Sequence, residues 1–252
     1  MIIEFIGAPG SGKTTLVPTL RDYLIEKGYQ AYPVLEAARP FAQKTIPGKL
    51  AGTLFPGRLR RAALWQIFYL FSFRQRSAFA RDNRALMEAV LPYQSNRPLS
   101  KRDLDHVLRW FIHLTGYYQF FTSNMDEGEA VIFDEGFVHR VVQLFSSENE
   151  SPNFDAVAEY LDLIPQPDLV VFVSAPREVC EQRVHSRGLW DRFQEKDPLD
   201  TKKYLSNSWA IVNFSVDCLR QRKWKLIEFQ NNSQDIHIAQ NSFKKLLSEK
   251  VH

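Results

Sequence analysis

The sequence has little cysteine, nearly balanced charge and no long apolar run, and each shortage excludes a class of protein. Its 252 residues include two cysteines, 32 basic and 29 acidic residues, for a formal net charge of +3. Two distant cysteines without metal-ligand spacing exclude a disulfide scaffold, and we expect both in the core of a cytoplasmic protein. So small a charge does not by itself argue for a specific nucleic-acid partner.

Membrane-spanning and secreted proteins are also disfavoured. The most apolar window, LWQIFYLFSF at 64–73, is about half the length that spans a bilayer. Glu4 interrupts the first apolar run, which argues against a secretory signal. Because there is no internal repeat, low-complexity tract or convincing linker, we expect a single domain over residues 1–252 without a transmembrane segment.

The stretch FIGAPGSGKTTL at 5–16 is the most informative part of the chain. It fits Gly-x4-Gly-Lys-Thr directly after an apolar run that reads as a buried strand. Glycines let backbone N–H groups face an anion, Lys13 can reach the β- and γ-phosphates, and the Thr14 hydroxyl can ligate Mg²⁺. The pattern predicts an ATP-binding loop formed by Gly7, Gly10, Ser11, Gly12, Lys13, Thr14 and Thr15.

Four further apolar segments read as strands and alternate with helical patterns. Such alternation predicts a parallel sheet covered on both faces by helices, which is a three-layer α/β architecture. The first of these segments ends on Glu36, and the second leads to Asp134. The four segments are 29–36, 130–136, 168–175 and 224–229.

About ninety residues separate the second and third strands, which is far more than a crossover needs. Residues 37–129 are therefore expected to form a helical insertion, with Pro92 and Pro98 marking a break between helices. Its arginines at 58, 60, 61, 74, 76, 81 and 84 interleave with Trp65, Phe68, Tyr69 and Phe73. The favoured interpretation is an amphipathic helix with a solvated charged face; a polyanion or anionic-membrane surface and an aromatic-lined acceptor pocket are the alternatives.

A cluster of arginines follows the fourth strand in VVFVSAPREVCEQRVHSRGLWDRF. Arg183 and Arg187 stand one helical turn apart, and Arg192 lies beyond Gly188. Phosphoryl transfer needs positive charge near the transferred group and exclusion of water, so residues 188–205 are predicted to form a mobile lid. A solvated basic helix end is the simpler alternative.

These segments together resemble the P-loop kinases grouped around thymidylate kinase and the deoxynucleoside kinases. The resemblance includes the phosphate loop, the strand ending on Glu36, FDEG at 133–136 and SAPREVCEQRVHSRG at 174–188, whereas the insertion matches nothing that we can name. It implies a P-loop NTPase fold with strand order 2-3-1-4-5, ATP and Mg²⁺ as cofactors and a small-molecule acceptor. A homodimer is possible.

The resemblance also implies roles for individual residues. By position, Glu36 is similar to an acid that contacts the acceptor hydroxyl and is a plausible general base. Asp134 stands where an acid organises Mg²⁺ together with Thr14. Arg183 is expected to contact the nucleotide, and Arg187 and Arg192 to act in catalysis.

One departure from the family pattern keeps a second function open. These kinases often place an arginine near the magnesium-organising acid, whereas Glu135 follows Asp134 here. A carboxylate repels a nucleotide monophosphate and so favours an acceptor with hydroxyls or an amine, unless Arg140 takes over. Asp-Glu is also an ATPase signature in which Glu activates water. An ATP-hydrolysing regulatory or membrane-associated protein is therefore the alternative, while the absence of Asn-Lys-x-Asp argues against a GTPase.

Overall fold

Five strands form one parallel sheet in the computed structural model, which describes residues 1–188, 197–233 and 235–250. The strand order is β2-β3-β1-β4-β5, with helices on both sides, and it confirms the predicted fold class. All five predicted strands are present, with shifted ends. The strands are β1 (Ile2–Ile6), β2 (Gln30–Pro33), β3 (Glu129–Phe133), β4 (Leu169–Ser174) and β5 (Leu226–Gln230).

The helices within the described ranges are numbered here in chain order. No helix in these ranges is long and apolar enough to cross a membrane. They are α1 (Lys13–Glu26), α2 (Val34–Lys44), α3 (Ile46–Leu54), α4 (Gly57–Asp82), α5 (Arg84–Ser95), α6 (Lys101–Asn124), α7 (Phe137–Phe145), α8 (Phe154–Leu163), α9 (Arg177–Arg187), α10 (Pro198–Gln221) and α11 (Ile236–Lys250).

The chain divides into two compact units, and the single domain that the sequence indicates stays a prediction. Unit 1 contains residues 1–2 and 28–132, and unit 2 contains residues 3–27 and 133–252. Unit 1 thus holds the whole 37–129 insertion, which is helical over α2–α6 as expected. Unit 2 holds the phosphate loop, Arg183 and Arg187.

Buried aromatic rings form the core of unit 1. The Phe41 and Phe121 rings meet edge to face with centroids 5.1 Å apart, and Phe68 stacks on Phe121 at 5.5 Å. Phe68 on α4 also contacts Phe120 on α6. Such ring pairs stabilise a core beyond the area that they bury. Phe68 and Leu64 thus lie on the buried face of α4.

Two predicted boundaries in unit 1 are wrong. Strand β2 ends at Pro33, which is the N-cap of α2, so Glu36 lies in the first turn of a helix rather than at a strand end. An acid in the first turn is favoured there because the helix N-terminus carries partial positive charge. Pro92 lies inside α5, and the break before α6 falls at 96–100, so only Pro98 marks it.

The core of unit 2 lies around β1 and β4, whose backbones run in parallel register. Ile3 pairs with Leu169, and Phe5 pairs with Val171. Every residue of β1 is buried, and the Phe5 ring contacts the Phe243 ring of α11 at 6.4 Å. Strands buried on both faces read as continuous apolar runs, which is why the sequence predicts them well.

The predicted lid at 188–205 is only partly described. Residues 189–196, which include Arg192, lie outside the described residues. From Pro198 onward the segment is the start of α10, and its Tyr204 and Leu205 are buried with Val184 of α9. The part from 198 to 205 is therefore an anchored helix rather than a loop, and the lid function stays a prediction.

Candidate functional site

The loop between β1 and α1 is packed so closely that three of its positions admit only glycine. A Cβ on Gly7 would lie 2.4 Å from a carbonyl oxygen of β4, and one on Gly10 would lie 2.3 Å from the Cys180 carbonyl oxygen. A Cβ on Gly12 would lie 2.4 Å from Nδ2 of Asn231. Gly10 and Gly12 also have φ values of 84° and 97°, which side chains rarely adopt. The backbone thus forms the turn that a phosphate loop requires.

Lys13 is the first residue of α1 and lies inside this loop. Its side chain is 8% exposed, and its Nζ donates hydrogen bonds to the carbonyl oxygens of Gly7 at 2.8 Å and Ala8 at 3.4 Å. Burial lowers the pKa of the Lys13 ammonium to about 8, although the nearby Glu135 and Asp134 carboxylates act in the opposite direction. The charges of Lys13 and the two carboxylates are therefore close enough to act on one another.

The hydroxyl side chains of the loop differ in their exposure. Ser11 is fully buried, and its Oγ has no hydrogen-bond partner among the described residues. Buried hydroxyls are nearly always hydrogen-bonded, so this one has an unused donor that a phosphate oxygen can accept. Thr14 is exposed and Thr15 is half-buried, both in the first turn of α1. The Thr14 hydroxyl can therefore reach a ligand in solvent.

Asp134 directly follows β3 and is the acid that the sequence predicts as a magnesium ligand. Burial raises the pKa of its carboxyl, and the neighbouring Glu135 carboxylate raises it further. No group of three or more His, Cys, Asp or Glu side chains that could hold a metal occurs in the described part of the chain. One carboxylate and the Thr14 hydroxyl nevertheless fit Mg²⁺, because this ion usually binds one or two carboxylates plus substrate phosphates.

Arg140 pairs with Glu135 and changes what that acid can do. Arg140 is buried, its Nη2 donates to the Glu135 carbonyl oxygen at 3.3 Å, and its Nη1 lies 3.7 Å from Glu135 Oε2. Gln143 donates to the same carboxylate oxygen at 3.1 Å. These contacts occupy Oε2 of the Glu135 carboxylate and fix its orientation. Arg140 also offsets the charge that would repel a phosphorylated acceptor.

The sequence does not indicate that Glu4 belongs to this region. Glu4 is fully buried in β1, and its Oε2 accepts the backbone N–H of Val138 at 2.6 Å at the start of α7. A Cβ on Gly136 would lie 2.2 Å from Glu4 Cδ, so glycine is what allows this approach. Burial raises the pKa of Glu4 to about 7. An acid inside an otherwise apolar strand was the available signal.

Replacing Glu4 with glutamine is expected to remove a pH dependence of stability. Because the folded-state pKa of Glu4 is raised, its contribution is full below pH 4.5 and is lost as the pH rises through 7. The raised pKa corresponds to about 3 kcal/mol. Relative to the unsubstituted protein, Glu4→Gln should therefore be more stable at pH 8 than at pH 5. Urea denaturation at the two pH values measures the difference in the free energy of unfolding.

Glu249→Gln, at an exposed position on α11, is the matched control for this prediction. It should change the free energy of unfolding equally little at both pH values. If Glu4→Gln and Glu249→Gln show the same pH profile, Glu4 does not titrate in the folded protein in this range.

His139 is a second buried group that the sequence did not single out as a site residue. Its side chain is 4% exposed, and its Nδ1 has no hydrogen-bond partner among the described residues. Burial lowers the pKa of His139 well below its usual value, and the nearby Lys13 and Arg140 lower it further. The imidazole is therefore neutral at physiological pH, and its proximity to Lys13 places it beside the phosphate loop.

Arg183 holds α9 against the outer side of the phosphate loop. Its Nη1 donates to the carbonyl oxygens of Gly10 at 3.3 Å and Ser11 at 3.4 Å, and its Nη2 donates to that of Ser233 at 2.5 Å. Asn231 Nδ2 donates to the Ser11 carbonyl oxygen at 2.8 Å. Because Arg183 binds carbonyl oxygens of the loop, it positions the loop backbone. Direct contact of Arg183 with a nucleotide stays a prediction.

Arg187 ends α9 close to Lys13. It is near enough that its positive charge contributes to lowering the pKa of Lys13. Gly188, the next residue, has a φ of 90° and ends the helix. The exposed face of α9 also forms an open groove of about 410 Å³. Its lining residues are Val179, Gln182, Arg183, Ser186 and Arg187.

Glu36 and Arg192 are the predicted site residues that are not among those described above. Glu36 is exposed and belongs to unit 1, whereas the residues described above belong to unit 2. Arg192 lies outside the described residues. Their predicted roles as general base and transition-state ligand stay predictions.

Comparisons with known proteins give structural matches alone. No protein-family model and no curated protein matches the sequence. Deoxyadenosine kinase from M. mycoides with bound dCMP and dCDP is 13% identical, with a TM-score of 0.42 over 99% of this chain and 100% of that one. The same kinase with bound dCTP is 14% identical, with a TM-score of 0.39 over 99% and 100%. Thymidylate kinase from Ehrlichia chaffeensis is 13% identical, with a TM-score of 0.44 over 98% of both chains.

These proteins are of the kind that the sequence resembles. The fold is defined by the strand order and the loop after β1, without these matches. The function has to be argued from the site.

Proposed function

We propose that the chain is a kinase that transfers the γ-phosphoryl group of ATP to a small-molecule acceptor. The observation that supports this most is the buried Lys13 ammonium, which lies at a helix N-terminus in a glycine-enforced loop beside Asp134 and Arg187. Backbone N–H groups at a helix N-terminus and a lysine point charge together form a strong binding site for phosphate.

ATP would bind with its phosphates in the loop and its base along α9. The ammonium of Lys13 would leave the Gly7 carbonyl oxygen for the β- and γ-phosphate oxygens, and the Ser11 hydroxyl would donate to a phosphate. The groove on α9 adjoins the loop through the Arg183 contacts and offers a place for the base.

Catalysis would rest on charge stabilisation by the protein's own side chains. Lys13 and Arg187 would stabilise the charge that develops on the transferred group. Thr14 and Asp134 would hold Mg²⁺, which when bound would supply positive charge that offsets the charge of the phosphates. The acceptor would be a nucleoside, a nucleotide or another hydroxyl or amine compound, with Glu36 as the proposed general base.

ATP hydrolysis without an acceptor is the second candidate function, because Glu135 follows Asp134 as in water-activating Asp-Glu pairs. The contacts of Glu135 with Arg140 and Gln143 weigh against it, because they occupy Oε2 of the carboxylate that would have to bind and activate a water molecule. Buried, unpaired Cys180 and Cys218 fit a cytoplasmic location, which we propose as well.

Release of ADP from Mg-ATP distinguishes the two functions. It is measured alone and with a panel of nucleosides, nucleoside monophosphates, sugars and aminoglycosides. Turnover that depends on one acceptor supports the kinase, and equal turnover without any acceptor supports the ATPase. Tight ATP binding without turnover under all conditions contradicts both and leaves a nucleotide-binding module.

Arg187→Ala is expected to lower the catalytic rate by on the order of a hundredfold while changing ATP dissociation much less. The reason is that a cation beside Lys13 acts mainly on charge that develops in the transition state. Arg177→Ala is the matched control, because Arg177 lies on the same helix and pairs with Glu181 at 2.7 Å. Steady-state rates and ATP titrations of both variants check the prediction; equal rates for them would remove Arg187 from the mechanism.

A further inference from the structure

A long segment of unit 1 has basic residues but no acidic ones. Residues 37–81, between Glu36 and Asp82, contain no acidic residue and nine basic ones. The segment includes all of α3 and most of α2 and α4. Its basic residues are Arg39, Lys44, Lys49, Arg58, Arg60, Arg61, Arg74, Arg76 and Arg81.

The middle of this segment also exposes large apolar side chains; we call residues 46–61 the basic tip. Residues 53–62, from the end of α3 into α4, are all exposed. Ile46, Leu50 and Leu54 follow one another at helical spacing along α3 and are 78%, 57% and 70% exposed. Leu59 is 63% exposed and Phe55 is 44% exposed. A group of apolar side chains on a protein surface marks an interaction site more often than single ones do.

The positive charges of the basic tip are not neutralised within the described parts of the chain. In those parts no side-chain hydrogen bond or ion pair involves Lys49, Arg58, Arg60 or Arg61. Lys44 shows the contrast, because it pairs with Asp126 at 2.7 Å and with Glu129 at 2.5 Å. Four cations therefore lie in the same stretch of chain as the exposed apolar side chains of the tip.

We propose that the basic tip docks on an anionic lipid bilayer, with its apolar side chains at the level of the headgroups and acyl chains. Basic residues next to exposed leucine, isoleucine and phenylalanine side chains are the combination that interfacial helices use. Each basic residue near an anionic surface adds to the binding, and the apolar side chains add the hydrophobic part. The chain would then be a peripheral protein, independently of which reaction the phosphate loop supports.

Two other occupants fit the tip less well. A second copy in a symmetric dimer would bring the same patch against itself, so four cations would face four cations. Single-stranded nucleic acid is bound through basic residues and stacked aromatic rings, whereas four of the five large apolar side chains of the tip are aliphatic. Aliphatic side chains have no stacking partner on a nucleic acid, but they do dissolve in lipid.

Co-sedimentation of the full chain with vesicles tests the proposal. Vesicles of phosphatidylcholine with about one third phosphatidylglycerol should bind the protein at physiological ionic strength, and pure phosphatidylcholine should bind it far less. Arg58→Gln, Arg60→Gln and Arg61→Gln combined should weaken binding by on the order of a hundredfold. Leu54→Ser with Leu59→Ser should also weaken it, because the charges alone hold a protein loosely at the surface.

The matched controls change the same number of residues elsewhere on the surface. Lys225→Gln, Lys245→Gln and Lys250→Gln remove three exposed charges, and Ile236→Ser with Ile238→Ser changes two exposed apolar side chains. Both should bind vesicles like the unsubstituted chain. Thermal unfolding of all variants confirms that they are folded, which is expected because every substituted position is exposed.

A fluorescent probe distinguishes insertion from simple attraction of opposite charges. The two native cysteines are buried, so Leu54→Cys offers a selectively reactive thiol for an environment-sensitive label such as NBD. Anionic vesicles should shift its emission to the blue, and a single-stranded oligonucleotide should not. The proposal is overturned if the protein binds anionic vesicles no better than neutral ones and the triple glutamine variant binds anionic vesicles as well as the unsubstituted chain does. It is also overturned if the label responds to nucleic acid alone, or if the tip variants instead convert a dimer into a monomer in sedimentation velocity.

Discussion

Lys13→Ala is expected to reduce turnover by about a thousandfold or more and to weaken ATP binding. The substitution removes the point charge that would contact the β- and γ-phosphates. It should leave the turn of the loop in place, because the left-handed backbone at Gly10 and Gly12 does not depend on the lysine side chain, although the bonds of Nζ to the Gly7 and Ala8 carbonyl oxygens are lost. Rates of ADP formation and ATP titrations measure both effects.

The same variant should not be less stable, and this separates a functional from a structural role. Burial lowers the pKa of Lys13 to about 8, so at pH 7 the folded protein holds an ammonium in an environment that disfavours its charge. Removing that ammonium should leave the free energy of unfolding in urea unchanged or higher. Lys27→Ala, beyond the end of α1, is a control that should affect neither activity nor stability. Full turnover of Lys13→Ala, or its unfolding, would contradict the phosphate-loop assignment.

The parts of the fold that could be predicted from the sequence are those whose signal is local. Parallel strands buried on both faces are continuous apolar runs, so β1 and β4 are found within two residues of their observed ends. The phosphate loop is likewise a local pattern, since the left-handed backbone at Gly10 and Gly12 requires glycine at those positions.

Boundaries depend on competing local preferences and are harder to predict. Val34 and Leu35 are apolar and extend the pattern of β2, but Pro33 starts a helix that includes them and Glu36. The sequence likewise shows no clear end for α4 at Asp82, where Asn83 separates it from α5.

The remaining site residues could not be predicted because their roles depend on long-range packing. Glu4 matters because β1 lies against the start of α7, which is more than 130 residues away in the chain. The same packing buries His139 and brings Lys13 close to it. The pairing of Arg140 with Glu135 needs the turn between β3 and α7, which the sequence does not specify.

Asp134→Asn is expected to abolish most of the response of turnover to Mg²⁺, with a loss on the order of a hundredfold at saturating ATP. Asparagine keeps the shape of the side chain and removes its charge, so the fold should not change. ATP affinity in the absence of Mg²⁺ should stay the same or rise slightly, because a carboxylate near the phosphates is removed. Magnesium titrations of ATP binding and of turnover, compared between the two proteins, measure the effect.

Glu135→Gln is the neighbouring control that also decides between the kinase and the ATPase. If Glu135 activated water, its amide would stop hydrolysis as completely as Asp134→Asn does. Because Glu135 is held by Arg140 and Gln143, we expect its replacement to lower turnover far less and to leave the Mg²⁺ response intact. If the magnesium titration curves of Asp134→Asn and the unsubstituted protein coincide, Asp134 has a structural role. If turnover is lost completely in Glu135→Gln alone, hydrolysis is favoured over transfer.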